Sequence, residues 1–183
     1  MLNKVVGTIA GLALLAGVAH AESVVERKDF QVAKDIASSV QRYTQFTIFD
    51  DISANVKDGV VTLAGKVTMP YKRDDIEKRV AKIDGVKAVR DEITVLPVSQ
   101  FDDELRYKIA RSIYGNSNFW NYAIMPNPPI HIVVERGRVT LTGVVGSEVD
   151  RMMARSLASQ FGAFSVTSAL KTDAEVETLE KSQ

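Results

Sequence analysis

The sequence has 183 residues, with 23 basic and 23 acidic side chains, two His and no Cys. The absence of Cys excludes disulfide scaffolds, Cys-ligated zinc, thiol catalysis and an N-terminal lipid anchor. The zero net charge argues against a nucleic-acid-binding protein, which normally carries a basic field, and the 45% apolar, 25% charged composition is typical of a globular protein.

The N-terminal segment has the three-part pattern of a secretory signal peptide. A basic start through Lys4 precedes an uncharged apolar run over residues 5–18, and Ala19-His20-Ala21 then matches an A-x-A cleavage site. The apolar run is shorter than the roughly 20 residues of a membrane span. We therefore predict a signal peptide over residues 1–21, cleavage after Ala21, and a periplasmic or secreted mature protein that is not a lipoprotein and has no transmembrane span. An uncleaved N-terminal anchor helix is the alternative.

The remainder of the sequence is an internal repeat. Shifted by 78 positions, residues 52–67 match residues 130–145 at eight of sixteen positions. The match includes GVVTLAG at residues 59–65 and GRVTLTG at residues 137–143. Beyond residue 67 the shift falls to 77. Because there are only two copies, the pattern predicts a tandem domain and not a solenoid.

Each copy predicts a helix, two strands, a second helix and a third strand. The first helix has apolar residues at a spacing of four, which marks one buried face, and Asp29 or Asp102 is positioned to cap it. Two strands of alternating apolar residues follow, joined by a hairpin turn at Asp58-Gly59 or at residues 135–137. The buried residues of the first helix are Val32, Ile36 and Val40 in one copy and Leu105, Ile109 and Ile113 in the other.

The second helix begins near Thr68 and Pro70 in the first copy and at Ser147 in the second. Gly85 and Gly162 are placed to end these helices in the left-handed conformation, and a last strand follows each glycine. Each unit is only about 70 residues long, a size at which hydrophobic cores are marginal. The linker over residues 96–100 is short, so we expect the two units to pack on one another.

The pattern resembles the BON domain, the module named for bacterial osmotically inducible and nodulation proteins. The resemblance lies in GVVTLAGKV (59–67) and IDGVKAVRDEITV (83–95), and again in GRVTLTGVV (137–145) and FGAFSVTSAL (161–170). The fold class we predict is α+β, with two tandem α-β-β-α-β BON domains, each a small three-stranded mixed sheet with two helices. The domains are predicted over residues 29–97 and 101–171, followed by a frayed acidic C-terminal tail over residues 172–183.

The resemblance implies a non-enzymatic protein that associates with phospholipid or envelope surfaces and contributes to envelope integrity or protection under osmotic stress. The shared motifs are glycines and apolar positions, so they are specific for the fold and weak for an activity. The partners it implies are an anionic phospholipid surface or envelope proteins, without nucleic acid. The alternative is a protein-binding or chaperone-like stress protein that uses an uncovered sheet face or strand edges.

No pattern in the sequence indicates a catalytic residue, a cofactor or a metal site. His131 lies between Ile130 and Ile132, so we predict that it points from the opposite face of its strand as an ordinary surface residue. Adjacent acidic residues could form acid–base dyads or calcium sites, but they are more simply helix caps and partners of helix dipoles. These pairs are Asp50-Asp51, Asp74-Asp75 and Asp102-Asp103.

The copies differ most after the first helix. The second copy has a longer loop there, residues 115–129, which holds the only Trp and three of the five Pro. By resemblance, the first helix of the second unit is the lipid-contact surface, and basic residues beside aromatic rings suit a headgroup interface. Alternatively, Phe119 and Trp120 close the core or cover the interdomain seam. The predicted contact residues are Arg106, Lys108, Arg111, Tyr114, Phe119, Trp120 and Tyr122.

Overall fold

A computed structural model describes residues 18–181, with side chains described for residues 28–178 and 181. The chain forms two consecutive α+β units, each built from a small mixed sheet and packed helices, which confirms the predicted fold class. The predicted signal peptide lies outside the described residues except for residues 18–21. Those four residues belong to the first helix, which begins at Val18.

The first repeat is organised around a central strand. Its elements are α1 (Val18–Gln41), β1 (Asp51–Lys57), β2 (Val60–Val67), α2 (Pro70–Val80) and β3 (Ala88–Val95). Strand β2 pairs antiparallel with β1 and parallel with β3. A parallel neighbour requires a crossover, and α2 supplies it. The core between helices and sheet includes Val32, Ile36, Leu63, Ile76, Val80 and Ile93.

The second repeat has the same order with three additions. Its shared elements are α3 (Gln100–Tyr114), β4 (Ile130–Glu135), β5 (Arg138–Val145), α5 (Glu148–Ala158) and β6 (Ser165–Ser168). The long loop after α3 contains a 3-10 turn and the short helix α4, and a further strand and helix follow β6. The additions are the turn (Ser117–Phe119), α4 (Trp120–Ala123), β7 (Lys171–Thr172), which pairs with β5, and α6 (Asp173–Lys181).

The expectation of a frayed C-terminal tail is wrong through residue 181. The Thr172 hydroxyl accepts a hydrogen bond from the Glu175 N–H at 3.3 Å, and the Glu175 carboxylate accepts one from the Thr172 N–H at 2.8 Å. This reciprocal pair is a capping box that starts α6. Arg151 of α5 also contacts Glu175 at 3.0 Å, which ties α6 to the second repeat.

Asp29 and Asp102 do not cap helices as the sequence suggested. Helix α1 begins eleven residues before Asp29, and Ser99 caps α3 by accepting from the Asp102 N–H at 3.2 Å. Each carboxylate instead accepts two backbone N–H groups from the hairpin turn of its own repeat. Asp29 accepts from residues 58 and 59 at 2.7 and 3.1 Å, and Asp102 from residues 136 and 137 at 2.8 and 2.7 Å.

These carboxylates hold the two hairpin turns in a demanding conformation. All four turn residues have positive φ, 53° and 78° at Asp58 and Gly59 and 50° and 73° at Arg136 and Gly137. Such two-residue turns match the twist of the strands they join, but a non-glycine residue at positive φ is disfavoured. The hydrogen bonds from the turn to the helix carboxylate offset that cost.

The two repeats contact one another through the segment before β1, which meets the outer edge of β4 and the face of β4 that carries His131. The Ile132 N–H donates to the Ile48 carbonyl at 2.6 Å, and the His131 Nδ1–H donates to the Asp50 carbonyl at 2.6 Å. The Lys66 ammonium also pairs with the Glu135 carboxylate. The face of β4 that carries His131 is therefore turned toward the first repeat. The prediction that His131 is an ordinary surface residue is wrong, because this face does not point into solvent.

Candidate functional site

Three large apolar side chains on α4 and the turn after it are exposed in the second repeat. Trp120 is 65% exposed, Ile124 is 63% exposed, and Met125 is also exposed. We call these three residues the α4 surface. Water-exposed side chains of this size are uncommon as a group, and when they cluster they mark a contact surface.

The segment that carries the α4 surface is held in place by contacts with the core of the second repeat and with α5. Phe119 is fully buried in the core of the second repeat, so it anchors the segment from below. The Tyr122 hydroxyl donates to the Asp150 carboxylate at 3.1 Å and accepts from the Gly146 N–H at 2.7 Å. Burial raises the pKa of Tyr122, and its hydrogen bond to Asp150 acts in the same direction. The hydroxyl therefore stays protonated and keeps α4 attached to α5.

Helix α5 adds further apolar residues beside this surface, which the sequence analysis missed. The Asn118 side-chain N–H donates to the Met153 sulfur at 3.1 Å, so the 3-10 turn lies against α5. On the same helix Val149 and Met152 are exposed. Their spacing of three indicates one helical face, and that spacing was the available signal in the sequence.

Two of the predicted contact residues are buried and are removed from the set. Arg106 is 4% exposed, and its guanidinium donates to the Val134 carbonyl at 2.6 Å while pairing with Asp103. Phe119 is 0% exposed. Both were assigned to the surface because a charged residue on a helix and an aromatic in a loop are usually accessible, and tertiary contacts override that tendency here.

Tyr114 and Tyr122 are half-buried and held by hydrogen bonds, so neither is free to enter a membrane interface. The Tyr114 hydroxyl donates to the Ile130 carbonyl at 2.6 Å and accepts from the Ile130 N–H at 3.0 Å. Burial raises the pKa of Tyr114 well above its usual range. These two tyrosines position the segment, while Trp120 faces solvent.

The predicted basic residues Lys108 and Arg111 are exposed on α3. Arg111 is in the last turn of α3, a short distance in sequence before α4. Lys108 forms a long ion pair with Glu104 at 3.4 Å, a contact that contributes little at a solvated surface. Of the seven predicted residues, the structure leaves Lys108, Arg111 and Trp120 accessible on the same repeat.

Asp50 and Lys72 form a buried ion pair in the first repeat, so Asp50 is not the helix cap that was predicted. Their charged atoms are 2.6 Å apart, and both side chains are almost fully buried. Burial alone raises the pKa of the Asp50 carboxyl, but hydrogen bonds from Lys72, Thr68 and Thr47 outweigh that effect and hold it below its usual value. The pair fixes the segment 47–50 that contacts the second repeat.

A cleft of about 640 Å³ lies between the two repeats. Its walls are α1, β1 and the proline-containing loop over residues 126–129. The Asn127 side chain donates to the Gln41 carbonyl at 3.1 Å and closes part of its rim. The lining is mainly apolar, with His131 at the side of the second repeat. The extra length of the second copy's loop therefore builds one wall of an interdomain cleft.

Among the described side chains, those of residues 28–178 and 181, no three His, Cys, Asp or Glu residues converge as a possible metal site. Within residues 18–181, none of the helices combines the length and apolar character needed to cross a bilayer.

Comparisons with known proteins identify the family. Two solved structures of CdsD, described as a structural protein of the type III secretion system of Chlamydia trachomatis, are similar at 13% identity and a TM-score of 0.27. They cover 80% and 76% of this chain and 97% and 96% of their own chains, the second being a C-terminal domain. No curated protein matches the sequence significantly. The family model of the BON domain matches residues 28–97 and 102–174, so the chain belongs to the BON-domain family as a tandem of two such domains.

Proposed function

We propose that this protein is an exported, non-enzymatic envelope protein whose second BON domain associates with anionic phospholipid surfaces. BON-domain proteins form a family linked to phospholipid, the envelope and stress, and they are generally not enzymes. The observation that carries the proposal is the α4 surface, where the exposed Trp120 lies on the same repeat as exposed Lys108 and Arg111. We place the mature protein in the periplasm, with a role in envelope integrity or osmotic protection.

The physical basis is a weak contact with two components. Transferring an exposed apolar side chain out of water contributes up to about 1.5–3 kcal/mol, and each basic residue near an anionic surface contributes about 1 kcal/mol. Because the chain has a net charge of zero, attraction is limited to a local patch. Binding should therefore weaken as salt is raised, since exposed charges are screened beyond about 10 Å at 0.1 M ionic strength.

The test uses the single Trp of the chain as its reporter. Titration with phosphatidylglycerol vesicles should shift Trp120 emission to shorter wavelength and co-sediment the protein at low salt. Phosphatidylcholine vesicles should produce a much smaller shift. Unchanged emission together with no co-sedimentation on the anionic vesicles would exclude this function.

Matched charge reversals assign the contact to the second repeat. The double variant K108E/R111E should lose most of the vesicle binding, because it reverses both exposed basic residues that the proposal assigns to the contact. The control is K78E/K82E, which makes the same change in charge at two exposed positions in the first repeat. Equal loss in both variants would mean that net charge, and not this surface, controls binding.

A further inference from the structure

The outer edge of β1 in the first repeat carries backbone groups that point away from its sheet. Lys57 and Val60 pair directly beside a two-residue turn, so they exchange hydrogen bonds. Hydrogen-bonded and non-hydrogen-bonded pairs alternate along an antiparallel ladder. The N–H and C=O groups of Ile52, Ala54 and Val56 therefore face outward.

Most of the same edge is occupied in the second repeat, where the corresponding residues are Ile130, Ile132 and Val134 and four of their six outward N–H and C=O groups are hydrogen-bonded. The Tyr114 hydroxyl bonds both the N–H and the C=O of Ile130. The N–H of Ile132 donates to the Ile48 carbonyl, and the C=O of Val134 accepts from the buried Arg106 guanidinium. The outer edge of β4 is thus hydrogen-bonded by two side chains of its own repeat and by one backbone carbonyl of the first repeat.

The first repeat lacks the side chains that perform this task. The shift of 73 residues that relates Ile36 to Ile109 places Ala33 at the position of Arg106 and Gln41 at that of Tyr114. An alanine cannot reach the strand edge. Among the described residues, no backbone group outside the ladder hydrogen-bonds to Ile52, Ala54 or Val56.

The interdomain cleft opens beside this strand edge. Ala33, Ala37, Ile52 and Ala54 line it, so small side chains leave room between α1 and β1. Ile48, whose carbonyl occupies the edge of β4, lines the same cleft. The cleft is therefore continuous with an interface in which backbone from one segment already pairs with the edge of a strand.

We propose that the outer edge of β1 binds an extended polypeptide segment of a partner protein as an added strand. Exposed strand edges accept such segments through main-chain hydrogen bonds, and pockets for alternate side chains provide the specificity. An acyl chain would cover the apolar wall but leave the outward N–H and C=O groups unsatisfied, which costs about 1–3 kcal/mol for each buried group. This binding site is separate from the α4 surface and extends the function beyond phospholipid contact.

The two sides of β1 define the sequence that the added strand needs. Ile52, Ala54 and Val56 are turned toward α1, whereas Ser53 and Asn55 are exposed on the other side. Neighbouring strands present their side chains in register on the same face. The bound segment should therefore alternate apolar residues, which enter the cleft beside Ala33 and Ala37, with polar residues that remain in water.

The test is a selection of displayed random heptapeptides, the length of β1, on the purified protein. Enriched peptides should show alternating apolar and polar residues and should bind saturably when labelled and measured by fluorescence anisotropy. On binding, the amides of Ile52, Ala54 and Val56 should exchange more slowly with deuterium. The same peptide methylated on alternate backbone nitrogens should lose binding, because it can no longer complete the ladder.

Two variants block the edge in different ways. The double variant A33R/Q41Y copies the Arg106 and Tyr114 arrangement, and Ala54→Pro removes one outward N–H at a strand edge, where proline is tolerated. Each should weaken peptide binding at least about tenfold while Trp120 emission shifts on anionic vesicles as in the wild type. The control Gln31→Arg adds the same charge to an exposed position of α1 and should bind peptide normally.

Two results would overturn the proposal. One is a selection that yields no variant-sensitive peptide, or peptides that bind A33R/Q41Y and Ala54→Pro as well as they bind the wild type. The other is binding of palmitate that both variants abolish, without peptide binding, which would assign the cleft to an acyl chain. Because vesicle binding is read separately by Trp120, either result leaves the proposed phospholipid contact to be judged independently.

Discussion

The two repeats share the carboxylate that holds the hairpin turn but satisfy the outer edge of the following strand differently. Asp29 and Asp102 each bond two turn amides, so this contact belongs to the unit itself. The second repeat bonds most of the edge of β4 with Arg106, Tyr114 and Ile48, and the first leaves β1 beside a cleft. The fold can therefore be maintained by a few contacts that both repeats share, while the strand edges of the two repeats form different contacts.

A second difference concerns buried charge. The first repeat holds the Asp50–Lys72 ion pair in its interior, and the second has Pro128 at the position 78 residues after Asp50. The pair orders residues 47–50, whose carbonyl groups contact His131 and Ile132. The first repeat thus holds residues 47–50 in the position where they contact the second repeat.

The largest expected effect comes from Asp50→Asn, which breaks the ion pair that only the first repeat has. It leaves the Lys72 ammonium buried without a counter-charge, and such losses cost about 3–5 kcal/mol. The loss of stability is measured as the change in the free energy of unfolding in urea between the wild type and the variant. The control Asp74→Asn removes an exposed partner of Arg73 and should cost no more than about 1 kcal/mol. A loss of equal size in both variants would contradict the role of the buried pair.

The same pair predicts an acid-dependent loss of stability. The pKa of Asp50 is lower in the folded protein than in the unfolded chain, so its ionised form stabilises the fold at neutral pH. That contribution is lost as the pH falls below about 4, the value for an unperturbed Asp, and through the lower folded pKa. Unfolding measured between pH 7 and pH 3 should show a steeper loss in the wild type than in Asp50→Asn.

The shared carboxylate gives the next largest effect and compares the repeats directly. Asp102→Ala should cost about 2–3 kcal/mol, because a buried charged acceptor for two amides is removed. Asp29→Ala should cost about 1 kcal/mol, since Asp29 is only half-buried and water can replace it. Urea unfolding and the exchange rates of the turn amides measure both. A larger cost at Asp29 would reverse the comparison.

Tyr114→Phe tests the edge that the second repeat has closed. The change removes the hydroxyl that bonds both groups of Ile130, and we expect a loss of about 1–2 kcal/mol. Deuterium exchange of the Ile130 amide should become faster. Tyr107→Phe is the control, because Tyr107 is exposed and its ring contact with Phe49 is retained. An unchanged exchange rate at Ile130 would show that the hydroxyl does not protect this edge.

The smallest effect concerns the contact between the repeats. His131→Phe keeps a ring beside Phe46 but removes the donor to the Asp50 carbonyl, so we expect a loss of about 0.5–1 kcal/mol. His131→Asn offers an amide N–H near the same place and should recover part of it. Calorimetric unfolding distinguishes the two. A loss in His131→Asn as large as that in His131→Phe would show that the hydrogen bond is not responsible.

Local patterns in the sequence predict much of this fold. The spacing of Val32, Ile36 and Val40 predicts the buried face of α1, and Gly59 and Gly137 predict the turns, because these features depend on neighbouring residues. The capping box of Thr172 and Glu175 was equally readable but was overlooked. The membrane-contact set was less accurate, since it included two residues that are buried.

The misplacement of Arg106, Phe119 and Asp50 has one cause, which is contact between residues far apart in sequence. Arg106 is buried because its guanidinium reaches a carbonyl 28 residues away on β4. Phe119 is buried because the loop after α3 folds back over the core, and Asp50 is buried because Lys72 returns to it from α2. Composition and periodicity describe single elements, so they do not reveal which polar side chain will meet a distant partner.

The position of residues 47–50 has a consequence for how the protein denatures. This turn is stabilised inside the first repeat, yet its carbonyl groups hold the second repeat. Loosening of the first repeat would therefore release its neighbour, whereas the edge contacts from Tyr114 and Arg106 lie entirely within the second repeat and would survive. The chain should therefore unfold in two steps, in which the second repeat persists as a folded fragment after the first repeat has melted.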